Sequence, residues 1–263
     1  MMMKKHLIYI IGIVATFFVA CENVSEEDRF LDVAEIEARR TVLLEDYTGQ
    51  ACVNCPNAHR EAALLHSCSA YHDNLIIVAV HAGMQAVPSP AGLKQPEGDE
   101  YADKFGVKEY PNGMVNRRGG LKSYALWGAA IYEEIQRSSP LEMSLNAYFT
   151  NKKISVTGEL LASEALQGKL QLWLVEDSIK TFQSFVDKSE PKYVHNHVFL
   201  DAINGTWGED VILGSDERKG FEYKDFALTA TWNRKPENLS VVAFVYDENG
   251  VIQAAQCKVN VNE

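Results

Sequence analysis

The sequence predicts an α/β half followed by an all-β half. Three observations point that way. Between about residues 38 and 138, strand-like apolar runs alternate with helical ones, the pattern of helices layered on a sheet. After Ser138-Ser139-Pro140 the apolar period falls to 2, as in half-buried strands. A C-x-x-C pair, Cys52 and Cys55, falls where the first predicted strand meets the first predicted helix.

Taken in order, Thr41 to Tyr47 is apolar and rich in β-formers and reads as a buried strand. A Thr48-Gly49 turn and the two cysteines follow. Pro56 suits a first helical turn, where its missing N–H is no loss. Ala58 to Ala70 is a predicted helix with Ala58, Ala62, Leu65 and Cys68 on or near one face. Asn74 to His81 contains Leu-Ile-Ile-Val-Ala-Val and reads as a strand buried on both faces, as parallel sheets require. Gly83 to Gly98 is a long Pro/Gly-rich loop. Asp99 to Phe105 is a short helix, Gly113 to Arg117 a short strand, and Ser123 to Arg137 an amphipathic helix carrying Trp127, Ile131 and Ile135. Beyond the hinge, Leu141, Met143, Leu145 and Ala147 alternate with polar residues, and Lys153 to Leu160 and Lys169 to Val175 repeat the alternation. Leu239 to Tyr246, the turn Asp247 to Gly250, and Val251 to Val261 read as a hairpin. The second half is thus expected to be an all-β (immunoglobulin-like) sandwich. The expected divisions are 1–20, 21–37, 38–138 and 141–263.

The N-terminus points to export. Lys4 and Lys5 precede an apolar run, Leu7 to Ala20, too short to span a membrane and suited to a signal peptide. Phe18-Val19-Ala20-Cys21 resembles a bacterial lipobox, which implies lipidation at Cys21 and a membrane anchor there. Residue 22 is Glu rather than Asp, so the usual inner-membrane retention signal is missing, and residues 22–28 form an acidic tether. Net charge is −11, and losing Lys4 and Lys5 takes it to −13, which excludes nucleic acid as a partner held by charge. With 46% hydrophobic residues there is ample core material. Five cysteines less Cys21 leave four, in a compartment that permits disulfides.

A C-x-x-C at a strand-to-helix junction is the arrangement of a dithiol redox centre. The partial positive charge and free N–H groups at the helix N-terminus stabilise a thiolate at Cys52. In that chemistry Cys52 attacks and Cys55 resolves the mixed disulfide, and the partners are exported proteins with thiols or disulfides. The competing readings are a structural disulfide or half of a metal site. His81 ends the second buried strand, so Cys52, Cys55 and His81 form a candidate set for copper or zinc, with His59 one helical turn after Cys55. Cys68 and Cys257 read as buried apolar residues, with a bridge between them as a minor alternative. His195 and His197, if on one strand, share a face, and a structural hydrogen-bonding role at the junction of the halves is expected. No cofactor is expected.

The first half resembles the thioredoxin fold. Phe105-Gly-Val-Lys-Glu-Tyr110-Pro111-Asn-Gly113 is similar to the loop that carries a cis-proline there. The resemblance implies that Pro111 is cis and faces the dithiol, with the Tyr110 backbone free to pair with an extended substrate. It also implies that Asp46, six residues before Cys52, accepts the proton of the resolving cysteine. Glu45, on the opposite strand face, is an alternative base. Ala51 stands where Trp is usual, and Val53-Asn54 replaces Gly-Pro. The whole chain is similar to the 28-kilodalton outer-membrane lipoprotein family of Gram-negative gut bacteria. The features that carry this are the lipobox, Cys52-Val-Asn-Cys-Pro56, Tyr110-Pro111-Asn-Gly-Met-Val-Asn116-Arg117 and Tyr193-Val-His195-Asn-His197-Val198. That family implies a two-domain layout and outer-membrane attachment but no settled chemistry. A non-enzymatic surface lipoprotein, binding a partner or glycan through the sandwich, is the rival to thiol–disulfide exchange.

Overall fold

The computed structural model describes residues 40–228 and 235–261; the expected signal segment, Cys21 and the acidic tether lie outside the described residues. The α/β half begins with strand β1 (Val42–Thr48), buried along its whole length. Helix α1 (Cys55–Ser67) follows, then β2 (Leu75–His81), also wholly buried. Helix α2 (Pro96–Phe105), strand β3 (Asn112–Val115) and helix α3 (Trp127–Ile135) complete it. β1 pairs in parallel with β2 and antiparallel with β3, so it is the central strand of the three. Burial on both faces explains its continuous apolar run.

The element ends differ from expectation for local reasons. α1 starts at Cys55 rather than Ala58, because Pro56 occupies its first turn and carries the start back to the dithiol. α2 likewise starts at Pro96 and ends at Gly106, whose φ of 70° makes it a left-handed cap. β3 stops at Val115, not Arg117, because Asn116 and Arg117 turn to positive φ (47° and 54°). That turn brings Asn116 Oδ1 to the Leu43 N–H at 2.8 Å and Asn116 Nδ2 to Glu134 at 3.0 Å. It also puts Arg117 Nε 2.7 Å from Glu45 Oε1, with the guanidinium over the rings of Phe105, Phe244 and Tyr246. Two buried charges are thus paired, and the cation is walled by π-faces.

The remaining strands are β4 (Leu141–Thr150), β5 (Lys153–Ala162), β6 (Leu166–Glu176), β7 (Ile179–Ser184), β8 (Ser189–His195), β9 (Val198–Ala202), β10 (Glu209–Leu213), β11 (Arg218–Ala227), β12 (Leu239–Asp247) and β13 (Gly250–Val261). The main sheet runs β11-β5-β4-β13-β12-β6-β9-β2-β1-β3, with β10 beside β6. Strand β13 is shared: its first part pairs antiparallel with β12, and its end, Val259 to Val261, pairs in parallel with β4. Apolar residues of β4 and β5 (Ala147, Ile154, Val156) pack with those of β6 and β12 (Leu172, Leu174, Val241) in one cluster. Leu93 of the first half packs into the same cluster.

The sheet does not stop where the periodicity changes. β9 lies between β6 and β2, with Ala79 in register with Val198 and the Ala79 N–H bonded to the His197 carbonyl at 2.7 Å. A second cluster mixes Leu43, Tyr47, Val80 and Tyr101 of the first half with Trp173, Phe199 and Phe244 of the second. Strands β7 and β8 stand apart as a two-stranded hairpin. No helix among the described residues is long and apolar enough to cross a membrane.

Candidate functional site

Residues 49–55 link the end of β1 to the start of α1, and the path is fixed by close packing. A side chain at Gly49 would run into the Gln85 carbonyl group, so only glycine lets the two segments meet. The Ala51 N–H then bonds the Gln85 carbonyl at 2.8 Å. Cys52 and Cys55 form a disulfide, and the Cys55 N–H, the first of α1, lies 3.1 Å from Cys52 Sγ. That donor sits at the positive end of the helix, where it stabilises charge on the Cys52 sulfur once the bond is reduced. Cys52 is 4% exposed and Cys55 fully buried, while Val53 between them is 42% exposed.

The Tyr110–Pro111 peptide is cis. Asn112 pairs with Tyr47 across the β1–β3 ladder, so Pro111 comes next, at the same sheet end as the dithiol turn. The loop Gly83–Gln85 lies between that turn and Tyr110, whose ring leaves no room for a side chain at Gly83. Burial, then Asp99 and Asp103, push the Tyr110 phenol up to about 12.

Asp46 is 1% exposed and points to the α1 side of β1. Burial alone raises its carboxyl to about 8. Its Oδ2 lies 3.9 Å from His59 Nε2, and its Oδ1 has no side-chain partner. His59 Nε2 is 2.8 Å from Thr48 Oγ1, and its Nδ1 is 3.0 Å from the Tyr193 hydroxyl. Burial, then His195, lowers His59 to about 3, so its imidazole is held neutral. The neighbouring residue Glu45 points the other way, to Arg117 and the Tyr47 hydroxyl, and is a structural ion-pair partner rather than a second base.

Behind α1, Asp46, His59, His81, Tyr193 and His195 line a cavity of about 250 Å³. His81 ends β2, and its ring centroid is 5.3 Å from that of His195. Desolvation lowers both imidazoles, His195 to about 4. Among the described residues no three His, Cys, Asp or Glu side chains converge on a metal-sized site. With the two sulfurs bonded to each other, the set Cys52, Cys55 and His81 is not available as thiolate ligands. His195 and His197 do not share a strand face: His195 ends β8, and His197 turns at φ 57° into β9. His197 instead joins the halves, through its carbonyl to Ala79 and its N–H to Asp177. Cys68 is buried, Cys257 half-buried, and both are unpaired. Burial raises the Cys257 thiol to about 11.

Sequence reasoning missed the hairpin β7–β8 as part of this site. Gln183 is fully buried, and its Nε2 donates to the Cys52 carbonyl at 2.9 Å and the Gly49 carbonyl at 3.3 Å. The Ser184 N–H bonds the Gln50 carbonyl at 2.8 Å. Gln183 belongs to a short strand with no apolar stripe, so nothing in the local pattern marks it. Tyr193 and His195 stand out in the sequence, but nothing there ties them to His59, 134 and 136 residues earlier.

HBP35 of Porphyromonas gingivalis is similar over 84% of this chain and 76% of its own, at 16% identity and a TM-score of 0.69. An Agrobacterium tumefaciens protein is similar over 88% of this chain and 98% of its own, at 16% identity and a TM-score of 0.51. A domain of the outer membrane lipoprotein Omp28 from Porphyromonas gingivalis is 24% identical over 48% of this chain and 92% of that domain, with a TM-score of 0.35. No curated protein sequence matches significantly. The fold is HBP35-like: a mixed α/β region carrying a C-x-x-C pair, followed by mostly β strands. Residues 98–263 match the outer membrane protein family Omp28, more than half of the chain, so this chain belongs to the Omp28 family of outer-membrane lipoproteins.

Proposed function

We propose that this chain is an envelope-anchored thiol–disulfide exchange protein. It acts on exported proteins through Cys52 and Cys55, from a thioredoxin-like α/β half joined to an immunoglobulin-like sandwich, with Cys21 as the lipid anchor. The observation that carries this reading is the disulfide at the first turn of α1, with a buried carboxyl, Asp46, near the end of the strand that leads into it. On reduction, the Cys55 N–H and the helix end favour a thiolate at Cys52, the nucleophile of exchange. Cys55 resolves the mixed disulfide and Asp46 takes its proton. At about 8 the Asp46 carboxyl is poised near neutral pH, where both of its forms are populated. Pro111 and Tyr110 form the wall against which an extended substrate segment lies.

One observation favours a second reading, in which the disulfide is a structural staple in a surface lipoprotein that binds a partner or glycan. Both sulfurs are nearly inaccessible under the β7–β8 hairpin. The reduction potential separates the two. It is measured on the soluble form starting after Cys21, in glutathione or dithiothreitol buffers, with alkylation and mass spectrometry. A value between about −120 and −270 mV is expected for exchange. A value below about −300 mV, or a reduced pair inert to thiol probes at mildly acidic pH, leaves the structural reading.

A further inference from the structure

We propose that His59 is a positioning residue of the dithiol couple: held between Asp46 and Tyr193, it is the route by which the buried acid exchanges its proton with solvent. This rests on the exchange reading above and adds a residue to it.

A buried acid that accepts a proton in each cycle must lose it again before the next. Asp46 is 1% exposed and lines the cavity behind α1, so its proton reaches bulk solvent only by way of the groups around that cavity. His59 Nε2 lies 3.9 Å from Asp46 Oδ2, too long for a direct hydrogen bond, on the same face of α1 as Cys55 and one turn further on. The other nitrogen of the same ring meets the hydroxyl of Tyr193, a residue only half-buried, at 3.0 Å. Acid, imidazole and phenol are therefore successive neighbours from β1 to the edge of the β7–β8 hairpin. The cavity of about 250 Å³ beside this line is large enough to admit water. It is lined by nitrogens of His81 and His195 that lack side-chain partners. Groups that bear on His59 are Asp46 and Thr48 of β1, His81 of β2, Tyr193 and His195 of β8, and Arg60 of its own helix. Arg60 is exposed, its guanidinium is turned to Asn57, and its positive charge bears on Tyr193.

The reduced protein's Cys52 thiolate attacks a substrate disulfide, forming one S–S bond and releasing one substrate thiolate. The Cys55 thiol then gives its proton to the Asp46 carboxylate as its sulfur attacks Cys52 Sγ. The bond from Cys52 to the substrate breaks, and the second substrate thiolate leaves. Two electrons have passed to the substrate, and one proton sits on Asp46. That proton moves by way of water in the cavity to His59 Nε2, while the Nδ1 proton passes by way of Tyr193 to bulk water.

The test uses glutathione disulfide as oxidant and follows closure of the Cys52–glutathione mixed disulfide by rapid acid quench from pH 5 to 9. His59→Gln keeps a hydrogen-bonding side chain but cannot carry a proton. It is expected to slow closure roughly tenfold or more near neutral pH and to displace its pH profile. His59→Ala, which opens the ring's space, is expected to recover rate when free imidazole is added. A His59→Gln variant that closes with the wild-type rate and pH profile overturns the role of His59 and leaves the exchange reading intact. A wild-type protein that forms no mixed disulfide overturns both. A loss caused only by poor folding is separated by the imidazole rescue, which a merely structural histidine does not give.

Discussion

Asp46 carries a testable signature because its surroundings oppose its charge. Its folded-state carboxyl is raised to about 8 by burial, against about 3.9 in an unfolded chain. A raised value means the folded protein holds the proton more tightly than the unfolded one. Its contribution to stability is therefore fully present below about pH 4 and is lost as pH rises through about 8. Asp46→Asn removes that loss. Its stabilisation relative to wild type should be roughly 3–4 kcal/mol larger at pH 9 than at pH 5, read from urea unfolding at the two pH values. A gain that is equal at both would mean that the carboxyl ionises as freely in the fold as out of it. The acid was legible in the sequence because its offset from Cys52 lies within one strand and one turn. His59 was legible only as a residue one turn after Cys55. Its role was not, since the Tyr193 hydroxyl that orients it arrives from the far half of the chain.

At the scale of elements, β1, α1 and β2 could be read because their apolar periods are long and undiluted. The hairpin β7–β8 could not. Its strands carry Lys180, Thr181, Gln183, Glu190 and Lys192, and apart from Ile179, which starts β7 in the core, what holds it in place is largely polar: Gln183 on the Cys52 carbonyl, Ser184 on Gln50, Tyr193 on His59. Such docking leaves no hydrophobic stripe to find. It also makes the hairpin the element that decides access to the sulfurs. Gln183→Ala leaves the buried Gly49 and Cys52 carbonyls without this donor, a loss of about 1–3 kcal/mol in the docked state. Alkylation of Cys52 in the reduced variant should then be about tenfold faster than in wild type for each 1.4 kcal/mol lost. An unchanged rate would mean that access to Cys52 does not depend on undocking of the hairpin.

For the whole molecule, the change in period near Ser138–Pro140 read correctly as a change in sheet type but said nothing about how the halves meet. Strand pairing between segments more than a hundred residues apart depends on which edge remains open after each half has folded, and that has no local trace. Here β2 offers its free edge to β9, and Trp173 of β6 enters the space beneath α2. Its indole N–H donates to the Tyr101 hydroxyl at 2.9 Å, and its ring meets those of Tyr101, Phe199 and Phe244 at 4.8–5.3 Å between centroids. The core beneath the dithiol strand is thus partly built by the β half. Trp173→Ala should cost about 3–5 kcal/mol and should move the unfolding of both halves together. Urea titrations followed by near-ultraviolet circular dichroism and by alkylation of Cys68, which is buried at the C-cap of α1 in the first half, should give coincident midpoints in wild type and variant. If Cys68 becomes reactive at an unchanged urea concentration while the dichroism midpoint falls, the two halves are held by separate cores and the shared cluster contributes little to either.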